Sequence, residues 1–296
     1  MHLATSSGRA QPGLDAVREV SLAVNAAHLF IYFVHEVRAE AAELGVADRA
    51  AYFAFRAAPM GAVPWQVVLA TFYGFNPRAV CAMAGVWGAA TPAQWQAARF
   101  AAAGRAMRRV GAEPTAEQLA EARSLIDPVV AGADYAGKAL AAANAAVPLP
   151  ADPLVALWQQ ITVLREWRGD AHLVVLASNG LGPCDSNVLQ TATGRFPEAV
   201  ARATRLWNDE EVAAATERLV ARGWLDDDGT VTDVGMAARE QIEVETDEHC
   251  AALWTPIGEE GARRLASLIM PIHQAFAAVG TFPFPMAGTG TPEHSR

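Results

Sequence analysis

Apolar residues recur at helical spacing through most of the chain, and capping or helix-breaking residues cut that pattern into discrete segments. The longest runs over 154–180. There Leu154, Leu157, Trp158, Ile161 and Leu164 are followed by Leu173, Val174 and Leu176, and Asn179-Gly180 closes the segment. Positions 17–44 show the same periodicity and stop at Gly45. Shorter helices are predicted over 47–58, ended by Ala58-Pro59, and over 65–73, ended by Gly74. Asn76-Pro77 and Thr91-Pro92 each place a capping side chain before a proline, predicting helix starts that run to about 84 and 110. Thr115 with Gln118 is a capping-box pattern opening 116–126. An alanine-rich helix over 128–146 leads into the proline-rich linker 147–153.

Beyond the long central helix the pattern shortens. Helices are predicted over 184–192, 196–205 and 209–222. Then come Arg222-Gly223-Trp224-Leu225, a tight Asp226-Asp227-Asp228-Gly229 turn, and a long helix from Thr232 to about 252. Helix 258–279 and a disordered Pro/Gly/Thr/Ser tail over 281–296 complete the chain. Three short helices, a hairpin and a further helix form the winged-helix layout. This part resembles the MarR-type regulators, in which an Arg-Gly-hydrophobic run precedes the wing and a Thr-x-x-Gly opens the next helix, here Thr232 and Gly235. A weak repeat at an offset of 135 pairs Gly45 with Gly180, Ala57 with Ala192 and Phe72 with Trp207. The expected fold is therefore mainly α, with two winged-helix-like halves joined by long helices and a small β-wing in the C-terminal half. The domains would be 14–146, a helical unit, and 147–280, the long helix plus winged helix.

Composition narrows the function classes. A hydrophobic fraction of 52% with 19% charged residues is globular, and a formal net charge of −9 speaks against a broadly basic nucleic-acid or membrane surface. Cys81, Cys184 and Cys250 lack CxxC spacing, so neither a zinc cluster nor a disulfide scaffold is expected. Without a signal-like start or a run of about 18 apolar residues, a cytoplasmic location with no membrane partner is expected.

The chemistry concentrates on the two long segments. Arg165, Arg168 and His172 share one face of the central helix, and Glu166 and Asp170 share another. On the earlier helix His28, Tyr32, His35 and Glu36 align, with Arg38 nearby; Arg56 stands in Phe55-Arg56-Ala57-Ala58-Pro59. Facing stripes would form a pocket. Arg165 and Arg168 would anchor an anionic or aromatic metabolite with Tyr32, His35, Arg38 and Arg56 also contacting it, and His28, Glu36, His172 and Asp170 would do acid–base chemistry. A purely structural ion-pair network is the competing reading. No local spacing assigns a metal to His28, Glu36 and His172, and no nucleophile, P-loop or dinucleotide motif is present, so no cofactor is identified. At the recognition helix, Asp209, Glu210 and Glu211 oppose phosphate, and so does the acidic turn, despite Arg202, Arg205, Arg218 and Arg222. Direct duplex binding is thus disfavoured.

As a set, five motifs resemble an actinobacterial helix-turn-helix family of similar length. They are His28-x3-Tyr32-Phe33-x2-Glu36-x-Arg38, Phe55-Arg-Ala-Ala-Pro-x-Gly, Ala70-Thr-Phe-Tyr-x-Phe-x-Pro77, Leu164-Arg-Glu-x-Arg-Gly-Asp-x-His172, and Asn208-Asp-Glu-Glu leading to Arg-Gly-Trp-Leu. Where that pattern carries Pro and a second His, this chain has His35 and Trp167. The resemblance implies an all-helical protein with a winged-helix part and supplies no established activity or cofactor. The expected function is small-molecule binding with acid–base chemistry in a natural-product pathway. The alternative is a MarR-type, ligand-responsive transcription regulator acting as a homodimer.

Overall fold

The computed structural model describes residues 10–46 and 48–283. Its helices are α1 (Leu14–Leu29), α2 (His35–Glu43), α3 (Asp48–Ala57), α4 (Trp65–Thr71), α5 (Pro77–Val80), α6 (Val86–Ala89), α7 (Pro92–Arg109) and α8 (Ala116–Gly132). They continue as α9 (Ala139–Ala145), α10 (Pro153–Ser178), α11 (Pro183–Ala192), α12 (Glu198–Arg205), α13 (Asp209–Ala221), α14 (Asp233–Ala251) and α15 (Gly258–Ala278). Capping chemistry explains several starts. Thr115 and Gln118 close the anticipated capping box on α8, and the Asn76 side chain accepts the Arg78 N–H ahead of Pro77. At the end of α10, Gly180 adopts φ +66°, and Leu181 N–H reaches back to the Leu176 carbonyl, a Schellman-type closure.

Two compact units interleave along the sequence. The first comprises residues 1–40, 98–171 and 247–296; the second comprises 41–97 and 172–246. In the first, α1 packs along α15, and α8 also packs on α15. Val17, Val24, Phe30, Trp158, Ile161, Trp254, Leu265 and Phe276 are buried together, with Phe30 stacked on Phe276 at 4.1 Å. In the second, Val175, Leu181, Leu189, Leu219, Leu225 and Ile242 form the core, drawn from α10, α11, α13 and α14 and the segments beside them. No single helix among the described residues is long and apolar enough to cross a membrane.

The mainly α expectation holds, but the β-wing does not. Among the described residues there is no strand, only one antiparallel bridge between Leu225 and Val231. The turn explains why. Asp226 N–H donates to the Thr230 carbonyl, while the Asp226 and Asp228 carboxylates both take the Thr230 N–H at 2.9 Å. The five residues between the bridging positions are consumed by an acidic side-chain-capped turn, leaving one rung of ladder. The picture of paired winged-helix halves fails with the wing, and their long helices also differ. The 17–44 segment breaks at residues 30–34 through a short 3₁₀ turn and bends by 50° into α2, whereas α10 is continuous. Leu29-Phe30-Ile31-Tyr32-Phe33-Val34 is an unbroken apolar and aromatic run, too wide for one stripe of a straight helix. The bend lets Phe30, Ile31 and Val34 all be buried. Pro128 does not split its helix as expected, because α8 continues through it to Gly132.

Thr232 and Gly235 acquire a physical role. The Thr232 hydroxyl accepts the Gly235 N–H at 3.0 Å and donates to the Gly223 carbonyl at 2.7 Å, tying the start of α14 to the end of α13. A Cβ at Gly235 would stand 2.1 Å from the Trp224 carbonyl oxygen. Gly235→Ala should therefore lower the unfolding free energy by about 2 kcal/mol or more despite the better helix propensity of alanine. Urea denaturation checks this, and an unchanged midpoint would refute the close approach.

Candidate functional site

The sequence-selected residues fall into local hydrogen-bonded groups. In the first unit, His28 is fully buried and stacks parallel to Trp158 at 5.4 Å. Its Nδ1 lies 3.1 Å from the Thr162 hydroxyl and its Nε2 lies 3.0 Å from the Tyr32 hydroxyl. Thr162 donates its only hydroxyl proton to the Trp158 carbonyl, so it accepts from His28. The imidazole therefore carries a proton on Nδ1. His172, in the second unit, meets the same device. Its Nδ1 lies 2.9 Å from a Thr246 hydroxyl that is itself committed to the Ile242 carbonyl.

The charged members are held by partners the sequence did not announce. Buried Glu36 receives the Arg109 guanidinium at 2.5 Å and has His35 Nδ1 3.5 Å away. Burial raises the Glu36 carboxyl, but the Arg109 contact, a backbone hydrogen bond and the His35 charge together hold the group below its ordinary value. His35 and Arg38 are exposed. Arg165 pairs with Glu166 at 2.5 Å. Arg168 meets Asp247 at 2.9 Å, and Arg18 reaches the other oxygen of that carboxylate at 2.6 Å. Arg56, in the second unit, donates to the Tyr52 hydroxyl and lies over the Phe72 ring at 4.2 Å. Asp247 and Arg109 escaped the sequence reading because their partners lie more than 70 residues away and no spacing rule connects them.

Asp170 has a different task. One of its oxygens accepts the N–H groups of Leu140 and Ala141 at 3.0 Å each, capping α9 from another helix. Burial pushes its carboxyl up to about 6, with Glu166 adding repulsion against the lowering effect of the two N–H bonds.

A cavity of about 210 Å³ lies in the second unit, among α11, α12, α13 and the acidic turn. Val188, Ala192, Ala201 and Val212 supply apolar wall, Trp207 supplies an aromatic ring, and Gly229 comes from the turn. Burial pushes the Cys184 thiol on this wall to about 11, so it stays protonated at neutral pH. Sequence reading passed over this cavity. Its lining is small, mostly neutral and spread over three short helices, and the only cue was an acid-rich helix-turn-helix.

The connection between α12 and α13 is gripped by the segment at 74–78. Gly74 carbonyl accepts both the Trp207 indole N–H and the Asn187 amide, and Asn76 N–H donates to the Arg205 carbonyl. The Asn76 amide and the Arg78 guanidinium both reach Glu211, which also completes the capping box of α13 with Asn208. Burial raises the Glu211 carboxyl, yet the Asn208 N–H, Arg78 and Asn76 together hold it below its ordinary value. Among the described residues, no group of three His, Cys, Asp or Glu side chains is arranged to hold a metal ion.

Two stability experiments follow. The folded chain holds a proton on Asp170 between pH 3.8 and about 6 that the unfolded chain releases. This group's stabilising share is thus full below 3.8 and lost as pH rises through 6, amounting to about 3 kcal/mol. Asp170→Asn keeps an acceptor without the charge. It should flatten the fall in unfolding free energy between pH 4.5 and 7.5, measured in urea, whereas an unaltered slope would contradict the buried-cap assignment. Arg168→Leu should cost about 3 kcal/mol by leaving Asp247 with one cation, and Arg168→Leu/Asp247→Leu should cost at least 1 kcal/mol less than the two single changes summed. Strict additivity would show that the pair is not coupled.

No curated protein and no solved structure matches the chain. The helix-turn-helix family profile matches residues 17–283, taking in both units and the α11–α13 array with its gripped turn. The chain belongs to the helix-turn-helix family.

Proposed function

We propose that this helix-turn-helix protein binds a small organic molecule and uses its helix-turn-helix as a ligand-holding scaffold rather than as a direct reader of duplex DNA. The observation that carries the reading is the cavity among α11, α12 and α13, which is larger than the roughly 150 Å³ that suffices for a benzene ring. The end of α13 that would enter a major groove gives further support. It begins with Asp209, Glu210 and Glu211, and Glu211 is already occupied by Asn76 and Arg78. A phosphate approaching that end would meet three carboxylates.

The second reading, a ligand-responsive transcription regulator, is favoured by family membership and by the order of short helices followed by a turn. Two measurements on the full chain separate them. Selection from a randomised duplex pool at 150 mM salt should enrich no sequence. A thermal-shift screen of small aromatic and polar metabolites should raise the melting temperature by 2 °C or more for at least one compound. Enrichment of one duplex with sub-micromolar affinity would overturn the scaffold reading in favour of the regulator.

A further inference from the structure

The hydrogen-bond state of the cavity wall determines what kind of molecule it can hold. Each neutral side chain on the wall that can donate has already donated to the protein's own backbone. Both N–H groups of the Asn187 amide are spent, on the Gly74 carbonyl at 2.8 Å and the Pro183 carbonyl at 2.7 Å. Thr191 and Thr216 give their hydroxyl protons to the carbonyls of Val188 and Val212, at 2.9 and 3.0 Å. The Cys184 thiol donates to the Glu211 carbonyl and the Trp207 indole N–H to Gly74. What these groups have left is lone pairs: the Asn187 carbonyl oxygen, two hydroxyl oxygens and a sulfur.

Charge points the same way. Among the described residues the one cation on the wall, Arg202, is held between Glu198 at 2.8 Å and Asp209 at 2.5 Å. Glu198 itself lines the cavity and is exposed, and Gly229 brings the acidic turn to the other side. From residue 183 to 232 the chain carries nine carboxylates against five arginines and no lysine. A site that offers acceptors, an aromatic ring and a net negative field discriminates against carboxylates and phosphates and in favour of ammonium groups.

Building on the small-molecule reading above, we infer that the cavity binds a small aromatic amine in its protonated form, with the ring among Val188, Ala201, Val212 and Trp207 and the ammonium toward Glu198 and the acceptor oxygens. The volume suits one ring with a short amino-alkyl arm. An arylalkyl carboxylate of the same shape would bring a negative charge and acceptors to a wall already full of both.

The test uses the full chain and three isosteric probes: phenethylammonium, phenethyl alcohol and 3-phenylpropionate. Isothermal titration and ligand-detected NMR should show the amine binding at least tenfold more tightly than the alcohol, with no binding of the carboxylate. Glu198→Gln, a surface change, should weaken the amine five- to tenfold and leave the alcohol unchanged. Ala201→Leu, which fills the cavity, should abolish binding of both, with far-UV circular dichroism checking that the helices persist. Equal affinities for amine and alcohol, or a preference for the carboxylate, with binding still lost in Ala201→Leu, would overturn the amine assignment and leave the small-molecule reading standing. Failure of all three probes to bind would overturn the amine assignment, and the small-molecule reading falls only if the metabolite screen is also blank. Binding that survives Ala201→Leu would place the amine elsewhere and refute the site.

Discussion

Asp247 keeps 1% of its surface exposed, and a carboxylate so far from water must find its compensation inside the chain. Arg18 from α1 and Arg168 from α10 supply it, so one buried charge joins three segments of the first unit. The same constraint recurs at smaller scale around it. Glu36 is buried and takes Arg109; Asp170 is buried and takes two backbone N–H groups at the start of α9. An alanine-rich chain has few large side chains with which to specify how helices meet. These polar contacts supply direction where the apolar packing is smooth, and His28 between Thr162, Tyr32 and Trp158 adds a further fixed point.

In the second unit the ordering principle is backbone carbonyls seeking donors. Gly74 O draws in Trp207 and Asn187, and the Arg205 carbonyl draws in the Asn76 N–H. The helix-turn-helix is thereby set by a loop far away in sequence. Its turn passes through Leu206 in the left-handed region at φ +59°, a conformation that a leucine holds only where surrounding contacts impose it; Arg78 donates to the Leu206 carbonyl there. By committing their donors to the scaffold, the same contacts give the neighbouring cavity its acceptor character. Fold and the proposed ligand preference thus have a common origin in this unit.

Much of the helical framework was legible along the chain, because caps and prolines are local signals. Asn76-Pro77, Thr115 with Gln118 and Asn179-Gly180 each marked an end that the structure keeps. The wing is not legible because an Asp-Gly turn signals a hairpin, whereas the hydrogen bonds of its own aspartate side chains use up the residues a ladder would need. The bend at residues 30–34 was missed because a long apolar run looks helical by composition even when it is too wide for one helix face. For the site, the polar stripes were visible as residues but not as contacts. Arg168 reads equally well as a partner for Asp170, Glu36 or a ligand until Asp247 is placed beside it, and the cavity wall of Val188, Thr191, Ala201 and Trp207 has no spacing to advertise it.

Glu211 shows what it means for one side chain to serve several masters. It accepts the Asn208 N–H that starts α13, the Asn76 amide, and the Arg78 guanidinium. A helix meant to read DNA would want a neutral or basic residue here; a glutamine would keep the cap but lose the Arg78 ion pair, and a basic residue would lose the cap as well as the contacts to Asn76 and Arg78. A single exchange of Glu211 for a basic residue therefore adds a groove-reading charge only at the cost of a helix cap. The position is constrained by pleiotropy: folding itself favours an acid at Glu211, whatever the protein is selected to bind.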